Sequence, residues 1–167
     1  MVRDCRIGHG FDVHRFQRGR RLILGGVQIP HAFGLAGHSD ADVLLHALMN
    51  ALLGAMGKGD IGNHFPDTEQ RTKGISSEKL LRQVLRMMER AKFRVVNGDI
   101  TIVAQKPRLA PFFKKIRRRV AKLLRVPDER INLKAVTTEG LGWVGEGRGM
   151  AATAVVLLEK RKNRKGR

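Results

Sequence analysis

The sequence predicts a single α+β domain, in which a mixed β-sheet carries its helices on one face. The length of 167 residues suits one compact domain. Hydrophobic residues make up 42% of the chain, which is enough for a core. Strand-like and helix-like segments alternate irregularly, which favours the α+β class. We assign residues 1–159 to the domain and residues 160–167 to a basic tail, which we expect to be disordered.

The first half of the chain is expected to contain two strands, a long helix and a loop. Residues 6–14 form the first predicted strand, and residues 20–30 the second, with a bulge at Gly25 and Gly26. A helix is predicted from Ser39, as its N-cap, to about Met56. Its residues are apolar almost all round, so we expect this helix to be buried. Residues 59–68 are predicted to form a loop.

The second half is expected to add two amphipathic helices and three strands. A helix with one apolar stripe is predicted at residues 77–93, followed by a strand at residues 95–105. Pro111 suits the first turn of another helix, which runs to about residue 126. The last strands are predicted at residues 131–138 and 150–159, with a glycine-rich segment between them.

The composition favours a soluble, cytoplasmic protein. A single cysteine, Cys5, excludes an intramolecular disulfide framework. No apolar run approaches the roughly 20 residues that a membrane helix needs, so no membrane association is expected. The first residues have no apolar signal core behind them.

The net charge of +18 raises the alternative of a nucleic-acid-binding protein. The excess is local, because the tail holds six basic residues and residues 114–125 hold seven, in both cases without an acid. The apolar stripe of the helix around residues 114–125 explains its basic side as a solvated face. Aromatic residues make up only 5% of the chain, and no nucleic-acid motif is recognised. Nucleic-acid binding as the main function is therefore disfavoured.

Three residues could form a zinc site. Asp12 and His14 share one face of the first strand, and glycines leave that face open. His46 lies on a polar stripe of the otherwise apolar helix, together with Ser39, Asp42 and Asn50. Together they would give an Asp/His/His set with an open fourth position, which is typical of catalytic zinc. The alternatives are a hydrogen bond between Asp12 and His14, and a packed His46 bonded to Asp42.

Two further segments could bind phosphate. His38 and Ser39 stand at the start of the predicted helix, where free N–H groups receive phosphate oxygens. Residues 137–142 join a strand end to a glycine-rich loop that could cradle phosphate, and Glu139 could hold a hard divalent ion. Capping by Ser39 and Asp40 and a plain polar loop at residues 137–142 are the alternatives, and Asp60 and Asp67 are weak candidates.

Taken together, the motifs resemble the 2-C-methyl-D-erythritol 2,4-cyclodiphosphate synthase family of the non-mevalonate isoprenoid pathway. The resemblance covers about residues 6–158 and rests on five separated motifs in family order. They are Arg-Ile-Gly-His-Gly-Phe-Asp-Val-His at 6–14, Gly-His-Ser-Asp-Ala-Asp-Val-Leu-Leu-His at 37–46, Gly-Asp-Ile-Gly-Asn-His-Phe-Pro-Asp-Thr at 59–68, Ala-Gln-Lys-Pro-Arg-Leu at 104–109 and Thr-Thr-Glu-Gly-Leu-Gly at 137–142.

This resemblance implies an enzyme, a phosphorus–oxygen lyase. Its substrate would be 4-diphosphocytidyl-2-C-methyl-D-erythritol 2-phosphate, and its products the cyclodiphosphate and CMP. It implies that Asp12, His14 and His46 bind Zn²⁺, and that Glu139 helps to hold Mg²⁺ or Mn²⁺ on the diphosphate. His38 and Thr137 would stabilise the transition state. It further implies a homotrimer with active sites between subunits.

The resemblance also implies a set of substrate-binding residues, in which the segments around residues 104–110 and 137–139 line the cytidine side and come from a neighbouring chain. The set is Asp12, Val13, His14, His38, Ser39, Asp60, Ile61, Gly62, Phe65, Pro66, Asp67, Thr68, Glu69, Ala104, Gln105, Lys106, Pro107, Arg108, Leu109, Ala110, Thr137, Thr138, Glu139 and Trp143. Two departures stand out, since the family's Gly-Arg-Gly-Glu-Gly is here Gly-Glu-Gly-Arg-Gly at residues 145–149, and Trp143 replaces a Phe.

Overall fold

A computed structural model describes residues 4–66, 68 and 74–161 of the chain. It has seven strands and five α-helices in these ranges, in the order β1 (Cys5–Arg18), β2 (Leu22–Leu24), β3 (Val27–Ile29), β4 (Phe33–Leu35), α1 (Val43–Ala55), α2 (Ile61–His64), α3 (Ser77–Arg90), β5 (Phe93–Val103), α4 (Phe113–Leu124), β6 (Ile131–Val136), α5 (Gly142–Gly145) and β7 (Gly149–Lys160).

The main sheet has five strands in the order β4-β1-β7-β5-β6, and β2 and β3 form a separate hairpin. Only β5 and β6 pair in parallel, so the sheet is mixed. The buried residues of its strands face α1, α3 and α4, which pack on one face. The predicted α+β class, with a mixed sheet and helices on one face, is therefore confirmed.

Helix α1 lies closer to strand β1 than side chains at Gly8 and Gly10 would allow. A Cβ atom on Gly8 would stand 1.9 Å from the carbonyl oxygen of Ala51, and one on Gly10 would stand 2.0 Å from that of Ala47. The two glycines therefore let the backbone of α1 contact β1 directly. The predicted burial of this helix is confirmed, since only Asn50 and Gly54 of its thirteen residues are not buried.

Two predictions about the first half of the chain are wrong. Helix α1 begins at Val43 and not at Ser39, because Asp42 is the N-cap and its Oδ1 accepts a hydrogen bond from the Leu45 N–H at 3.1 Å. The predicted strand at residues 20–30 is a hairpin, because Gly25 and Gly26 both have positive φ angles (59° and 73°) and make the turn between β2 and β3.

Smaller differences concern short elements. The predicted loop at residues 59–68 contains the helical turn α2, and the glycine-rich segment before β7 contains α5. Strand β4 was not predicted, because three residues give too little periodicity to recognise. The apolar stripe of α4 is buried as expected, and its buried residues are Ile116, Val120, Ala121, Leu123 and Leu124.

The sheet face opposite the helices is uncovered and partly apolar. Ile7 is 74% exposed and Phe11 53% exposed, and Val13 and Val155 are also exposed. None of the helices in the described ranges combines the length and apolarity that crossing a membrane requires. Asp67, Glu69 and residues 162–167 of the basic tail lie outside the described residues.

Candidate active site

Asp12, His14 and His46 converge on one point beneath helix α1. Nε2 of His14 and Nδ1 of His46 lie 2.9 Å and 3.0 Å from Oδ2 of Asp12, and the two nitrogens are 3.0 Å apart. Ligand atoms that hold an ion tetrahedrally at about 2.0–2.2 Å are about 3.3–3.6 Å apart, which is only slightly more than the spacing here, so the set could hold a zinc ion. The predicted Asp/His/His cluster is present, and His46 is bonded to Asp12 and not, as the alternative had it, through its ring to Asp42.

A hydrogen bond from Nδ1 of His14 fixes the orientation of its ring. Nδ1 of His14 donates a hydrogen bond to the carbonyl oxygen of Ala36 at 2.7 Å. In the neutral imidazole, Nε2 then carries the lone pair and faces the carboxylate oxygen of Asp12. Two lone pairs that face each other at this distance need a cation between them, either a proton or a metal ion.

The charges of the site reflect this convergence. Burial disfavours the charged carboxylate of Asp12, but its hydrogen bonds to His14 and His46 outweigh burial and lower the pKa of Asp12 to about 2. Burial likewise disfavours the charged ring of His14, yet the bond to Asp12 raises the pKa of His14 above its ordinary value. The site therefore keeps an anionic carboxylate and attracts a positive charge.

The three residues of the cluster line a cavity of about 410 Å³. Several predicted substrate-binding residues line this cavity. Leu80 also lines it, although the sequence analysis did not predict Leu80 as a site residue. The lining residues are Asp12, His14, Gly37, His38, Ser39, His46, Ile61, Gly62, Phe65, Pro66 and Leu80. Asp60 caps α2, since its Oδ1 accepts a hydrogen bond from the Asn63 N–H at 3.0 Å, and Thr68 is exposed.

The segment with His38 and Ser39 is not the first turn of a helix, since α1 begins only at Val43. It is held instead by Arg20, whose Nη1 donates to the Gly37 carbonyl oxygen at 2.8 Å and whose Nη2 donates to that of Ser39. The position of His38 at the cavity thus depends on a loop that Arg20 holds by hydrogen bonds. These bonds join residues that are distant in the sequence, so no local sequence pattern reveals them.

A second group of predicted residues lies together at the ends of β5 and β6. The Ala104 N–H donates to the Val136 carbonyl oxygen at 3.0 Å, and the Thr138 N–H to Oε1 of Gln105 at 3.4 Å. The Thr137 hydroxyl donates to Oε1 of Glu139 at 2.6 Å. The start of the segment at residues 104–110 therefore lies beside residues 136–138, as one binding surface requires.

The second group does not line the cavity of its own chain. His14 pairs with Met150 of β7, Val103 of β5 pairs with Ala151, and Val136 of β6 pairs with Val103. Three strand spacings therefore separate β1 from β6, which amounts to roughly 14 Å. The two groups lie at the same end of the sheet but apart from each other.

Val13 and Trp143 lie at a third place. Val13 points to the sheet face opposite Asp12 and His14. Val13 and Trp143 line a cavity of about 640 Å³ together with Phe16, Phe33 and Arg148. Nε of Arg148 forms an ion pair with Oε2 of Glu146 at 2.9 Å, so the two residues that are exchanged relative to the family pattern contact each other.

The fold and the site define an α+β domain with the ligand set of a metal-dependent enzyme. The chain belongs to the YgbB family, whose model matches residues 5–159. It is 56% identical to the 2-C-methyl-D-erythritol 2,4-cyclodiphosphate synthase of Syntrophomonas wolfei over 155 residues, which are 93% of this chain and 99% of that protein.

Solved structures agree with this family. A 2C-methyl-D-erythritol-2,4-cyclodiphosphate synthase in a CDP-bound form superimposes with a TM-score of 0.84 and 41% identity, covering 92% of this chain and 99% of that chain. The bifunctional IspDF from Campylobacter jejuni superimposes with a TM-score of 0.92 and 42% identity, covering 96% of this chain but only 44% of that longer one.

Proposed function

We propose that this chain converts 4-diphosphocytidyl-2-C-methyl-D-erythritol 2-phosphate into 2-C-methyl-D-erythritol 2,4-cyclodiphosphate and CMP. The observation that carries the proposal is the convergence of Asp12, His14 and His46 on one point in an open cavity. It occurs in a chain whose relatives bear the name of this synthase. The enzyme is thus a phosphorus–oxygen lyase of the non-mevalonate pathway, and we place the reaction in the cytoplasm.

The reaction is an intramolecular displacement at phosphorus. An oxygen of the 2-phosphate attacks the β-phosphorus, and the bond from this phosphorus to the oxygen of the cytidylate breaks. The bonding electrons leave on that oxygen, which becomes a phosphate oxygen of CMP. The substrate supplies its own nucleophile, so no serine or cysteine nucleophile is required of the protein. Alignment of the two ends of one molecule is worth on the order of 7–11 kcal/mol.

The ligand set of the cavity suits Zn²⁺. Asp12, His14 and His46 would hold it and leave a fourth position open. When bound, zinc would supply positive charge that polarises the β-phosphate. His38 lines the same cavity and would stabilise the charge that develops on the phosphates. Ile61, Gly62 and Phe65 would contact the methylerythritol phosphate.

The other half of the site would come from a neighbouring chain of a homotrimer. In one chain, Thr137 and Glu139 are separated from the cavity by two strands, which supports their supply by a second chain. There Thr137 would stabilise the transition state, Glu139 would help to hold Mg²⁺ or Mn²⁺ on the diphosphate, and residues 104–110 would line the cytidine. The uncovered apolar sheet face supports such an assembly.

The test is CMP release from the cyclisation substrate by the zinc-loaded protein, with the cyclic product identified by phosphorus NMR. His46→Ala removes one of the three ligands, so we expect it to lose zinc and to lower turnover by at least about 100-fold. His31→Ala is a matched control, because His31 bonds to the Phe33 carbonyl oxygen in the β3–β4 connection and does not line the cavity. Full activity and metal content in His46→Ala would refute the assignment of His46 as a zinc ligand, and a zinc-loaded wild type that releases no CMP would refute the proposed reaction.

A further inference from the structure

A buried chain of hydrogen bonds reaches His46 from the side of the ring that faces away from Asp12. Nε2 of His46 lies 3.0 Å from the hydroxyl oxygen of Ser77, and that hydroxyl lies 2.5 Å from Oδ1 of Asp40. Ser77 is fully buried and Ser39 almost so. The Ser39 hydroxyl oxygen lies 3.2 Å from the same Nε2 and 3.3 Å from the Ser77 oxygen.

The hydrogen atoms of this chain can be assigned from the chemistry of its groups. The carboxylate of Asp40 accepts hydrogen bonds only, so the Ser77 hydroxyl donates its single hydrogen to Asp40. The Ser77 oxygen then has only lone pairs to offer, and Nε2 of His46 has to carry a hydrogen in order to bond to it. An Nε2 without hydrogen would face the Ser77 lone pair at 3.0 Å, which is an unfavourable contact.

The Ser39 hydroxyl does not distinguish between the two forms of the His46 ring. Its hydroxyl oxygen accepts a hydrogen bond from the Ala41 N–H at 3.1 Å, and its own hydrogen can go to the Ser77 oxygen or to Nε2 of His46. Ser39 therefore fits either form of the imidazole. Only Ser77, oriented by Asp40, distinguishes them.

We propose that Ser77, held by Asp40, is a positioning residue that keeps His46 in the Nε2–H form and so leaves the Nδ1 lone pair free for the metal. The proposal rests on the zinc site of the proposed function. His14 reaches the same result by a different route, because its Nδ1–H is bonded to a carbonyl oxygen and its Nε2 is left free. Partners of this kind fix the ring orientation and the basicity of metal-bound histidines.

The Asp40–Ser77 pair is itself anchored in the fold. Oδ1 of Asp40 also accepts the Ser77 N–H at 3.0 Å, and the Asp40 N–H donates to the Ile75 carbonyl oxygen at 3.1 Å. These bonds connect the loop before α1 to the first residue of α3. Because these bonds hold the start of α3 against the loop before α1, the distance between Ser77 and the His46 ring is fixed.

The test compares Ser77→Ala with Ser39→Ala in the full-length protein. The zinc affinity of each is measured by competition with a chelator, and the form of the His46 ring in the metal-free protein is read from the nitrogen shifts and long-range couplings in NMR. We expect Ser77→Ala to bind zinc about 10–100-fold more weakly than the wild type and to lose the preference for Nε2–H. Ser39→Ala should keep both the preference and an affinity within about tenfold of the wild type.

Three results would overturn the inference. One is a His46 ring that carries no hydrogen on Nε2 in the metal-free wild type, which is decisive even where a variant fails to fold. Another is a Ser77→Ala protein with unchanged affinity and ring form, and the third is an equal loss in both variants. A wild-type protein that binds no zinc would instead refute the proposed metal site and the inference with it.

Discussion

At the scale of single residues, Asp42 is the most deeply buried carboxylate of the described chain. Its oxygens accept hydrogen bonds from the N–H groups of Gly25, Gly26 and Leu45 at 2.7–3.1 Å. It therefore joins the turn of the β2–β3 hairpin to the start of α1. Burial nevertheless raises the pKa of Asp42 to about 6, although these three bonds favour the charged form.

This pKa predicts a pH dependence of stability. Because the pKa in the folded protein lies above the unfolded value of 3.8, the native state binds the Asp42 proton more tightly. The resulting stabilisation is fully present below about pH 4 and is lost as the pH rises through about 6. Relative to Asp42→Asn, the free energy of unfolding of the wild type should fall by up to about 3 kcal/mol across this range.

The measurement is denaturant unfolding of both proteins between pH 4 and pH 7 with a chelator present, so that metal binding does not contribute. A difference that stays constant, or that grows with pH in favour of the wild type, would contradict the account of Asp42.

The metal ligands themselves were predictable, but their partners were not. The alternation of a strand places Asp12 beside His14, and the helical spacing places His46 on a polar stripe. The contact of His46 with Ser77 spans 31 positions of the sequence and depends on how α3 packs against α1. Local patterns carry no information about such a contact.

At the scale of elements, the site depends on the approach of α1 to β1. His46 is carried by α1 and Asp12 and His14 by β1, so the distance between these elements sets the distances among the ligands. Gly10 permits that approach, since its hypothetical Cβ would lie 2.0 Å from the Ala47 carbonyl oxygen and 2.5 Å from the Ala51 nitrogen.

Gly10→Ala should therefore destabilise the protein and weaken the site together. Backbone atoms of α1 would have to move, so we expect a loss of about 3 kcal/mol or more in the free energy of unfolding, accompanied by weaker zinc binding. Denaturant unfolding and a chelator competition measure the two effects.

Gly54→Ala is the matched control on the exposed side of α1. A Cβ there would meet only the His9 carbonyl oxygen at 3.8 Å, so the change should stabilise the helix by about 0.5–1 kcal/mol. A Gly10→Ala protein as stable as the wild type would show that the close contact of α1 and β1 is not required.

The helices and long strands were predicted well, because their periodicity extends over ten or more residues. Helix starts and short strands were not. Ser39 has the chemistry of an N-cap, but the backbone turns at Ala41, where φ is 55°, and leaves the capping position to Asp42. The Gly25-Gly26 pair fits both a bulge and a hairpin turn, and only the pairing of β2 with β3 decides between them.

In the whole molecule, the basic residues of α4, which are part of the charge that suggested nucleic acid, do not line the cavity of the site. Helix α4 buries its apolar stripe and exposes its basic side, as a solvated face would. Ion pairs already engage part of this charge, since Arg119 contacts Glu78 and Arg125 contacts Glu89, each at 2.6 Å. The prediction that nucleic-acid binding is not the main function stays a prediction.

The uncovered sheet face predicts how the assembly can be broken. Phe11 is half exposed and lies on the face opposite Asp12. Phe11→Glu would place a charge in the proposed subunit interface, where burying an unpaired charge costs several kcal/mol. We expect sedimentation to show the mass of a single chain, with loss of CMP release and intact zinc binding.

The control for this variant is Arg117→Glu on the exposed side of α4, which should keep both the trimer and its activity. A Phe11→Glu protein that remains a full-rate trimer would exclude this face from the interface.

We propose that one chain supplies the metal ligands and that its neighbour supplies Thr137 and Glu139. Mixed assemblies of His46→Ala and Thr137→Ala test it directly, since each variant alone should be inactive. After dissociation and random reassembly in equal amounts, about a quarter of the sites would combine an intact cavity with an intact Thr137. We expect CMP release at about a quarter of the wild-type rate, whereas a mixture no more active than its separate components would exclude a site shared between neighbouring chains.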